Sequence, residues 1–229
     1  MNNQKVMIEM IDVVAQSLGD DLLEKVVFVG GCTTALLVDD VVTLQDIRST
    51  QDVDMIVEVL SKSEYQDLCQ KLRQRGFKES VEDDVICRWR LGSMIVDVMP
   101  TDQEILGFSN IWYPEAVEFA KSYQLPSNRI IRVVSPTYFL ATKIEAFAGR
   151  GNNDFLASQD IEDILSLIDG CSSLIADLHA ANKKVKSAIA AAIQTFLNES
   201  DFEYQVQSVA QDRQHENLLF ERLIEISHL

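Results

Sequence analysis

The pattern of hydrophobic and polar positions changes along this chain, and the change divides it into two predicted parts. Before about residue 135, short β-branched or alternating runs are separated by turn residues, which predicts a mixture of strands and helices. After that point, apolar residues recur at helical spacing apart from a polar break at 198–207. We therefore predict an α+β fold, with an α/β domain over 1–134 and a helical domain over 135–229.

The periodicity also predicts individual elements. Gly92 and Ser93 separate two alternating runs, which predicts a β-hairpin. Ser158 is predicted to cap a helix in the second half. In chain order the predicted elements are helix 4–19, strand 25–29, helix 33–38, loop 39–51, strand 52–59, helix 63–75, strands 77–80, 85–91 and 94–99, helix 114–120, strand 129–134, and helices 138–147 and 158–169.

Three aspartates in the predicted strands suggest a metal site. Because a strand alternates its side chains between two faces, Asp52 and Asp54 project to one side while Val53 points to the core. Two carboxylates on one face suit a hard divalent cation. Asp97 lies inside an apolar strand, where a charge is costly unless it is paired or bound to metal. We therefore expect Asp97 to be the third ligand.

The glycine pair Gly30 and Gly31 stands where the first strand ends and a helix begins. Glycines at such a turn leave backbone N–H groups uncovered and let a phosphate approach them near the positive end of the helix dipole. A phosphate cradle together with metal-binding carboxylates predicts phosphoryl or nucleotidyl transfer.

Composition and charge narrow the class of protein and its partners. With 229 residues, 47% of them hydrophobic, the chain is long enough to bury a full core. No apolar run reaches the length of a membrane-spanning helix, and no signal-peptide pattern is present, so we expect a soluble, cytoplasmic protein with no membrane partner. The net charge of -16 argues against non-specific binding of DNA.

Local basic clusters remain candidates for holding one end of an RNA or DNA. For each cluster taken alone, solvated surface charge is the simpler expectation. The clusters are Arg73 with Arg75, Arg88 with Arg90, Arg129 with Arg132, and Lys183 with Lys184 and Lys186.

The motifs, taken in order, resemble a known family. They are GG at 30–31, RSTQDVD at 48–54, VDVMP at 96–100, SPTYFLATKIEAFAGRG at 135–151 and SQDIEDILSLIDG at 158–170. Together they resemble the nucleotidyltransferases of the AbiEii/AbiGii toxin type. That type belongs to the DNA polymerase beta-like superfamily, whose pattern is a glycine pair, a DxD and a third Asp on a nearby strand. The resemblance covers nearly the whole chain.

The resemblance implies a fold, a reaction and a set of ligands. The fold would be a polymerase beta-like domain, a mixed sheet flanked by helices, followed by a helical half that closes the active-site cleft. The reaction would move an NMP from an NTP to an acceptor hydroxyl and release pyrophosphate. Mg²⁺, or Mn²⁺, would be bound by Asp52, Asp54 and Asp97, and Asp97 would also help to deprotonate the acceptor.

The resemblance further implies roles for residues outside the metal site. Because Cys32 stands where the superfamily often has Ser, Thr or another small residue, a hydroxyl contact to phosphate would come from Thr33 or Thr34. Lys143, in an apolar helix, is expected to contact the phosphates rather than to extend to the surface. Further candidates for nucleotide binding are Arg48, Thr50, Arg150 and Asp160.

Several alternatives stay open at this point. The acceptor would be a tRNA or a protein, and a cognate antitoxin is a candidate partner. A small-molecule nucleotidyltransferase of the antibiotic-modifying kind fits the same glycines and DxD. A non-catalytic interaction protein that keeps the fold is the third option, although retention of all three carboxylates argues against it. For Asp160 and Asp163, a capped and solvated first helical turn is the competing expectation.

Overall fold

A computed structural model describes residues 3–59, 61–79, 86–150 and 154–229. The fold is α+β with a mixed seven-stranded sheet. The strands are β1 (Val26–Val29), β2 (Asp52–Val57), β3 (Lys78–Glu79), β4 (Arg88–Leu91), β5 (Met94–Pro100), β6 (Lys121–Gln124) and β7 (Ile130–Val133).

Helices precede, interrupt and follow the strands, and a short 3₁₀ turn covers Gly31–Thr33. Within the described residues the helices are α1 (Asn3–Leu18), α2 (Asp20–Leu23), α3 (Thr34–Leu37), α4 (Thr43–Asp46), α5 (Lys62–Gln74), α6 (Gln103–Leu106), α7 (Tyr113–Glu118), α8 (Pro136–Arg150), α9 (Gln159–Gly170), α10 (Leu174–Ala180), α11 (Lys183–Phe196), α12 (Ser200–Val209) and α13 (Arg213–Ser227). No helix in this part of the chain is both long and apolar enough to cross a membrane.

The chain divides into two compact units. The first contains residues 1–36 and 49–135, and the second contains residues 37–48 and 136–229. Residues 37–48, which the predicted boundary places in the first domain, therefore group with the helical half. Two hydrogen bonds explain this grouping, because the backbone N–H groups of Asp39 and Asp40 both donate to the Gly170 carbonyl at the end of α9.

The sheet of the first unit has the strand order β3-β4-β5-β2-β1-β7-β6. β1 is an inner strand of this sheet, and all four of its residues are buried, as expected for a strand that is covered on both faces. β2 runs parallel to β5 and antiparallel to β1, so β2 lies between the glycine turn that follows β1 and the strand that carries Asp97.

The predicted hairpin is confirmed. β4 and β5 pair antiparallel around Gly92 and Ser93, in a register that places Leu91 opposite Met94. Residues 80–85, which the predictions assign to strands and an acidic turn, lie outside the described residues. The cap predicted for Ser158 is also confirmed, because its hydroxyl accepts a hydrogen bond from the Ile161 N–H.

Two local predictions are wrong, and one strand was missed. The polar break predicted at 198–207 is largely the helix α12, whose buried Phe202 and Val206 are spaced by four residues and form an apolar stripe. The predicted loop at 39–51 contains the helix α4, whose first turn is stabilised by the Asp40 carboxylate accepting from the Thr43 N–H. The strand β6 was not predicted, because its sequence KSYQ is polar and it lies at the edge of the sheet.

The second unit is helical around a cluster of four phenylalanines. Phe155 lies 4.7 Å from Phe147 between ring centroids, and Phe196 contacts both at 5.2 and 5.5 Å. Phe202 completes the cluster from α12. These rings join α8, α11 and α12 into one core.

Candidate functional site

The parallel pairing of β2 and β5 determines which carboxylates meet. Asp54 lies directly beside Asp97, and Asp52 lies beside Ile95, two residues earlier on both strands. Because neighbouring residues in a sheet project to the same face, all three aspartates share one side. Val53 and Met55 point the other way into the core.

The three carboxylates form a compact group of oxygen donors. One oxygen of each lies within 4.8 Å of those of the other two. Among the described residues, this is the one group of three or more Asp, Glu, His or Cys side chains whose donor atoms lie close enough to share a metal ion. Carboxylate oxygens without sulfur or imidazole suit Mg²⁺ or Mn²⁺ rather than a softer metal. The donor set therefore fits the ion that the resemblance implies.

Neighbouring side chains hold two of these carboxylates in place. The Arg88 guanidinium pairs with Asp97 through two bonds, Nε to Oδ1 at 2.9 Å and Nη2 to Oδ2 at 2.8 Å. The Thr50 hydroxyl donates to Asp52 Oδ1. Asp97 is only 7% exposed. A buried carboxylate is costly unless its charge is paired, and Arg88 supplies that pairing.

The field of the carboxylates extends to a neighbouring thiol. Burial and, to a smaller extent, the negative charges of Asp97 and Asp54 together raise the pKa of Cys87 to about 12. The thiol is therefore neutral near pH 7.

Gly30 brings the backbone turn against Asp54. Its φ of 73° and ψ of -175° belong to a conformation that only glycine adopts readily. A Cβ built at Gly30 would lie 2.6 Å from Asp54 Cγ and would collide with the carboxylate itself. The absence of a side chain at Gly30 therefore leaves the space that Asp54 occupies.

The remaining residues of the turn are buried. Gly31 begins the 3₁₀ turn, and the Thr33 hydroxyl donates to the Gly30 carbonyl at 2.7 Å. Thr34 is also buried, and its hydroxyl makes no hydrogen bond within the described part of the chain. A phosphate contact by Gly31, Thr33 or Thr34 stays a prediction.

Lys143 belongs to the second unit, where it pairs with two carboxylates. Its Nζ lies 3.0 Å from Asp160 Oδ1 and 2.6 Å from Asp163 Oδ2. Burial alone would lower the pKa of Lys143, but the attraction of Asp163 and Asp160 outweighs it and raises the pKa. Lys143 is 6% exposed, so the alternative of a lysine that extends to the surface is wrong.

Two arginines complete this group of charges, which we call the Lys143 network: Lys143, Asp160, Asp163, Arg48 and Arg150. Arg48 pairs with Asp163 through Nε and Nη2 at 2.8 and 2.9 Å. Arg150 donates from Nε and Nη2 to Asp160, both at 3.2 Å. Asp160 and Asp163 are 5% and 1% exposed, so the alternative of a solvated first turn is wrong for both.

Arg88 is the residue of the site that sequence reasoning assigned to the solvated surface. That expectation is wrong, since its side chain is 22% exposed and pairs with Asp97. The position of the hairpin turn in the sequence already indicated that Arg88 would pair with Asp97. Counting outwards from Gly92 and Ser93 pairs Leu91 with Met94 and, three residues further, Arg88 with Asp97.

Comparison of the chain with models of known protein families finds no match, and comparison with curated proteins finds none either. Any functional assignment therefore depends on the geometry of the site and on the resemblance of the motifs.

Proposed function

We propose that this protein is a metal-dependent nucleotidyltransferase of the polymerase beta-like, AbiEii/AbiGii-type group, which transfers an NMP from an NTP to an acceptor hydroxyl. The observation that carries the proposal is the convergence of Asp52, Asp54 and Asp97 beside the Gly30 turn. Hard oxygen donors beside a glycine turn at the end of a strand are a combination suited to binding a metal triphosphate.

The residues of the site would have different roles in the reaction. A bound Mg²⁺ or Mn²⁺ would neutralise the triphosphate and make the acceptor hydroxyl more acidic. Asp52 and Asp54 would hold the triphosphate through the cation, and Asp97 would orient the acceptor and take up its proton. The acceptor oxygen bonds to the α-phosphorus, the α–β phosphoanhydride bond breaks, and pyrophosphate leaves.

The acceptor belongs to the same proposal. We favour a tRNA or a protein hydroxyl, because the motifs resemble toxin-type enzymes, and for the same reason we propose a cognate antitoxin as a partner. The net charge of -16 means that a tRNA would have to be held by a local basic surface rather than by the whole protein.

A second candidate is favoured by one observation. Arg88 engages both oxygens of Asp97, as a permanent counter-ion would do in a protein that keeps the fold without binding metal. In that case the protein would act through binding alone.

Incubation with each α-labelled NTP separates the two candidates. The purified protein, with Mg²⁺ or Mn²⁺, is offered total tRNA, a protein lysate and a set of aminoglycosides, and the labelled product identifies the acceptor class. An Asp52→Asn/Asp54→Asn double variant and a chelator serve as controls. Label that appears with wild type and disappears in both controls supports transfer. If no acceptor is labelled with any NTP or metal, the transferase proposal is refuted.

A further inference from the structure

The pairing of Arg88 with Asp97 creates a competition at the candidate metal site. A guanidinium that forms two parallel bonds to a carboxylate uses the same oxygens that a divalent cation would use. Arg88 Nε donates to Asp97 Oδ1 and Nη2 donates to Oδ2, so both oxygens of Asp97 already accept a hydrogen bond. A cation that coordinates Asp97 must therefore displace Arg88 or share an oxygen with it.

The register of the sheet keeps Arg88 close to the site even if that pair breaks. One row across the strands runs from Arg88 on β4 to Asp97 on β5 and Asp54 on β2. The next row on the same face runs from Arg90 through Ile95 to Asp52. Both arginines therefore project from the same face as the three carboxylates.

The chemistry of the proposed substrate gives a displaced guanidinium a new partner. A metal-bound triphosphate places several negative oxygens beside the carboxylates that hold the metal. Arg is suited to this role because its planar fork binds phosphate oxygens in pairs and always carries its charge. A short movement of the Arg88 side chain would then replace its partner Asp97 with a phosphate group.

We propose that Arg88 pairs with Asp97 until a divalent cation displaces it, after which its guanidinium binds the phosphates of the nucleotide. The inference rests on the proposed function, since it takes a metal triphosphate to be the substrate. Arg88 thereby reduces the repulsion among the three carboxylates in the metal-free protein and couples the binding of metal to the binding of nucleotide.

The proposal predicts opposite effects of one substitution on two ligands. Arg88→Gln removes the competitor, so a cation alone should bind about tenfold more tightly. The same variant lacks the phosphate contact, so a phosphate ligand should bind about tenfold more weakly when metal is saturating. A merely structural role for Arg88 would weaken both, because loss of a residue that orients a metal ligand lowers metal affinity.

Calorimetric titration tests both halves on the whole protein. Mn²⁺ is titrated alone, and tripolyphosphate is then titrated at saturating Mg²⁺, with wild type, Arg88→Gln and Arg88→Lys. Arg73→Gln is the matched control, because Arg73 pairs with the exposed Glu79 at 2.7 Å in the same unit and lies outside the carboxylate site. The control should match wild type in both titrations.

Arg88→Lys covers the case in which Arg88→Gln does not fold. Lysine keeps the positive charge and loses the two-bond fork, so Mn²⁺ should bind about threefold more tightly than to wild type. Unchanged or weaker Mn²⁺ binding in the variants that fold overturns the competition, and unchanged tripolyphosphate binding overturns the phosphate contact. If wild type binds Mn²⁺ and transfers nucleotide while the variants show neither shift, only this inference fails. A wild type that neither binds Mn²⁺ nor labels any acceptor refutes the proposed function as well.

Discussion

Two groups of five charged side chains, one in each unit, differ in the sign of their net charge. On the sheet face, Asp52, Asp54 and Asp97 share their side with two arginines, so carboxylates exceed cations by one. In the Lys143 network, three cations surround two carboxylates, so cations exceed carboxylates by one.

The difference in balance separates a candidate binding site from a stabilising network. The two aspartates of the Lys143 network are buried and each contacts two cations, which satisfies their charge within the protein. Asp52 and Asp54 are half-buried and lie beside a third carboxylate. Like charges held this close repel one another, and a bound cation would relieve that repulsion.

The largest expected effect concerns the excess of negative charge on the sheet. Asp54→Asn keeps the size of the side chain and removes one charge, so we expect nucleotide transfer to fall by at least about a thousandfold, roughly 4 kcal/mol in the barrier. The melting temperature in the absence of metal should stay the same or rise, because repulsion is relieved. Transfer rates at saturating Mg²⁺ and a thermal melt measure the two effects.

Asp67→Asn is the control for this prediction, since Asp67 is an exposed carboxylate on α5 of the same unit. It should leave both measurements unchanged. Normal turnover by Asp54→Asn would show that the three carboxylates are not the site of nucleotide transfer. The excess of negative charge on the sheet would then not distinguish a binding site from the Lys143 network.

The fold of the first unit was largely predictable because its strands carry their own signal. The buried run of β1 and the alternation of Asp52 and Asp54 with Val53 identify strands and faces without tertiary information. β6 was not predictable in this way, because a polar edge strand is defined by its partner β7 rather than by its own side chains.

The Lys143 network was less predictable because its members meet through tertiary structure. Arg48 and Asp163 are separated by 115 residues, and no local periodicity brings them together. The short distance between Lys143 and Asp160 along the chain was visible, but the helix dipole explained the acid equally well. Burial decides between these interpretations, and burial is a property of the assembled core.

The second prediction removes the centre of the Lys143 network. Lys143→Ala leaves Asp160 and Asp163 buried with one cation fewer, so we expect the free energy of unfolding to fall by about 3–5 kcal/mol. Lys183→Ala, an exposed lysine of α11 in the same unit, should change it by no more than about 0.5 kcal/mol. Urea denaturation measures both variants.

Nucleotide binding by the same variant tests the phosphate contact predicted for Lys143. If Lys143→Ala keeps its stability and loses at least about tenfold in NTP affinity, about 1.4 kcal/mol, the network is a binding site and the comparison between the two groups breaks down.

The third prediction compares two glycines with similar positive φ. Gly30→Ala meets the Asp54 carboxylate, whereas Gly92→Ala, at φ 61°, meets nothing within 4 Å. Both variants carry backbone strain of about 1 kcal/mol or more, but Gly30→Ala must also push Asp54 aside. We expect it to cost at least about 1 kcal/mol more in unfolding free energy and to lose transfer activity. Equal stability and activity of the two variants would separate Gly30 from the site.

The smallest expected effect is the pH dependence that Asp160 gives to stability. Burial disfavours its ionised form, but Lys143 and Arg150 outweigh burial and lower its pKa below the ordinary value of 3.8. A carboxyl whose pKa is lower in the folded than in the unfolded state contributes its full stabilisation above the unfolded value and loses it as the pH falls through the folded value. The difference in unfolding free energy between wild type and Asp160→Asn should therefore be constant from about pH 7 to pH 5 and shrink below about pH 4.

Asp201→Asn is the matched control, because Asp201 is an exposed acid in the first turn of α12, and its difference from wild type should stay small throughout. A difference for Asp160→Asn that does not shrink in acid would mean that Lys143 and Arg150 do not hold this carboxyl ionised, and the contrast between the Lys143 network and the acidic group on the sheet would be lost.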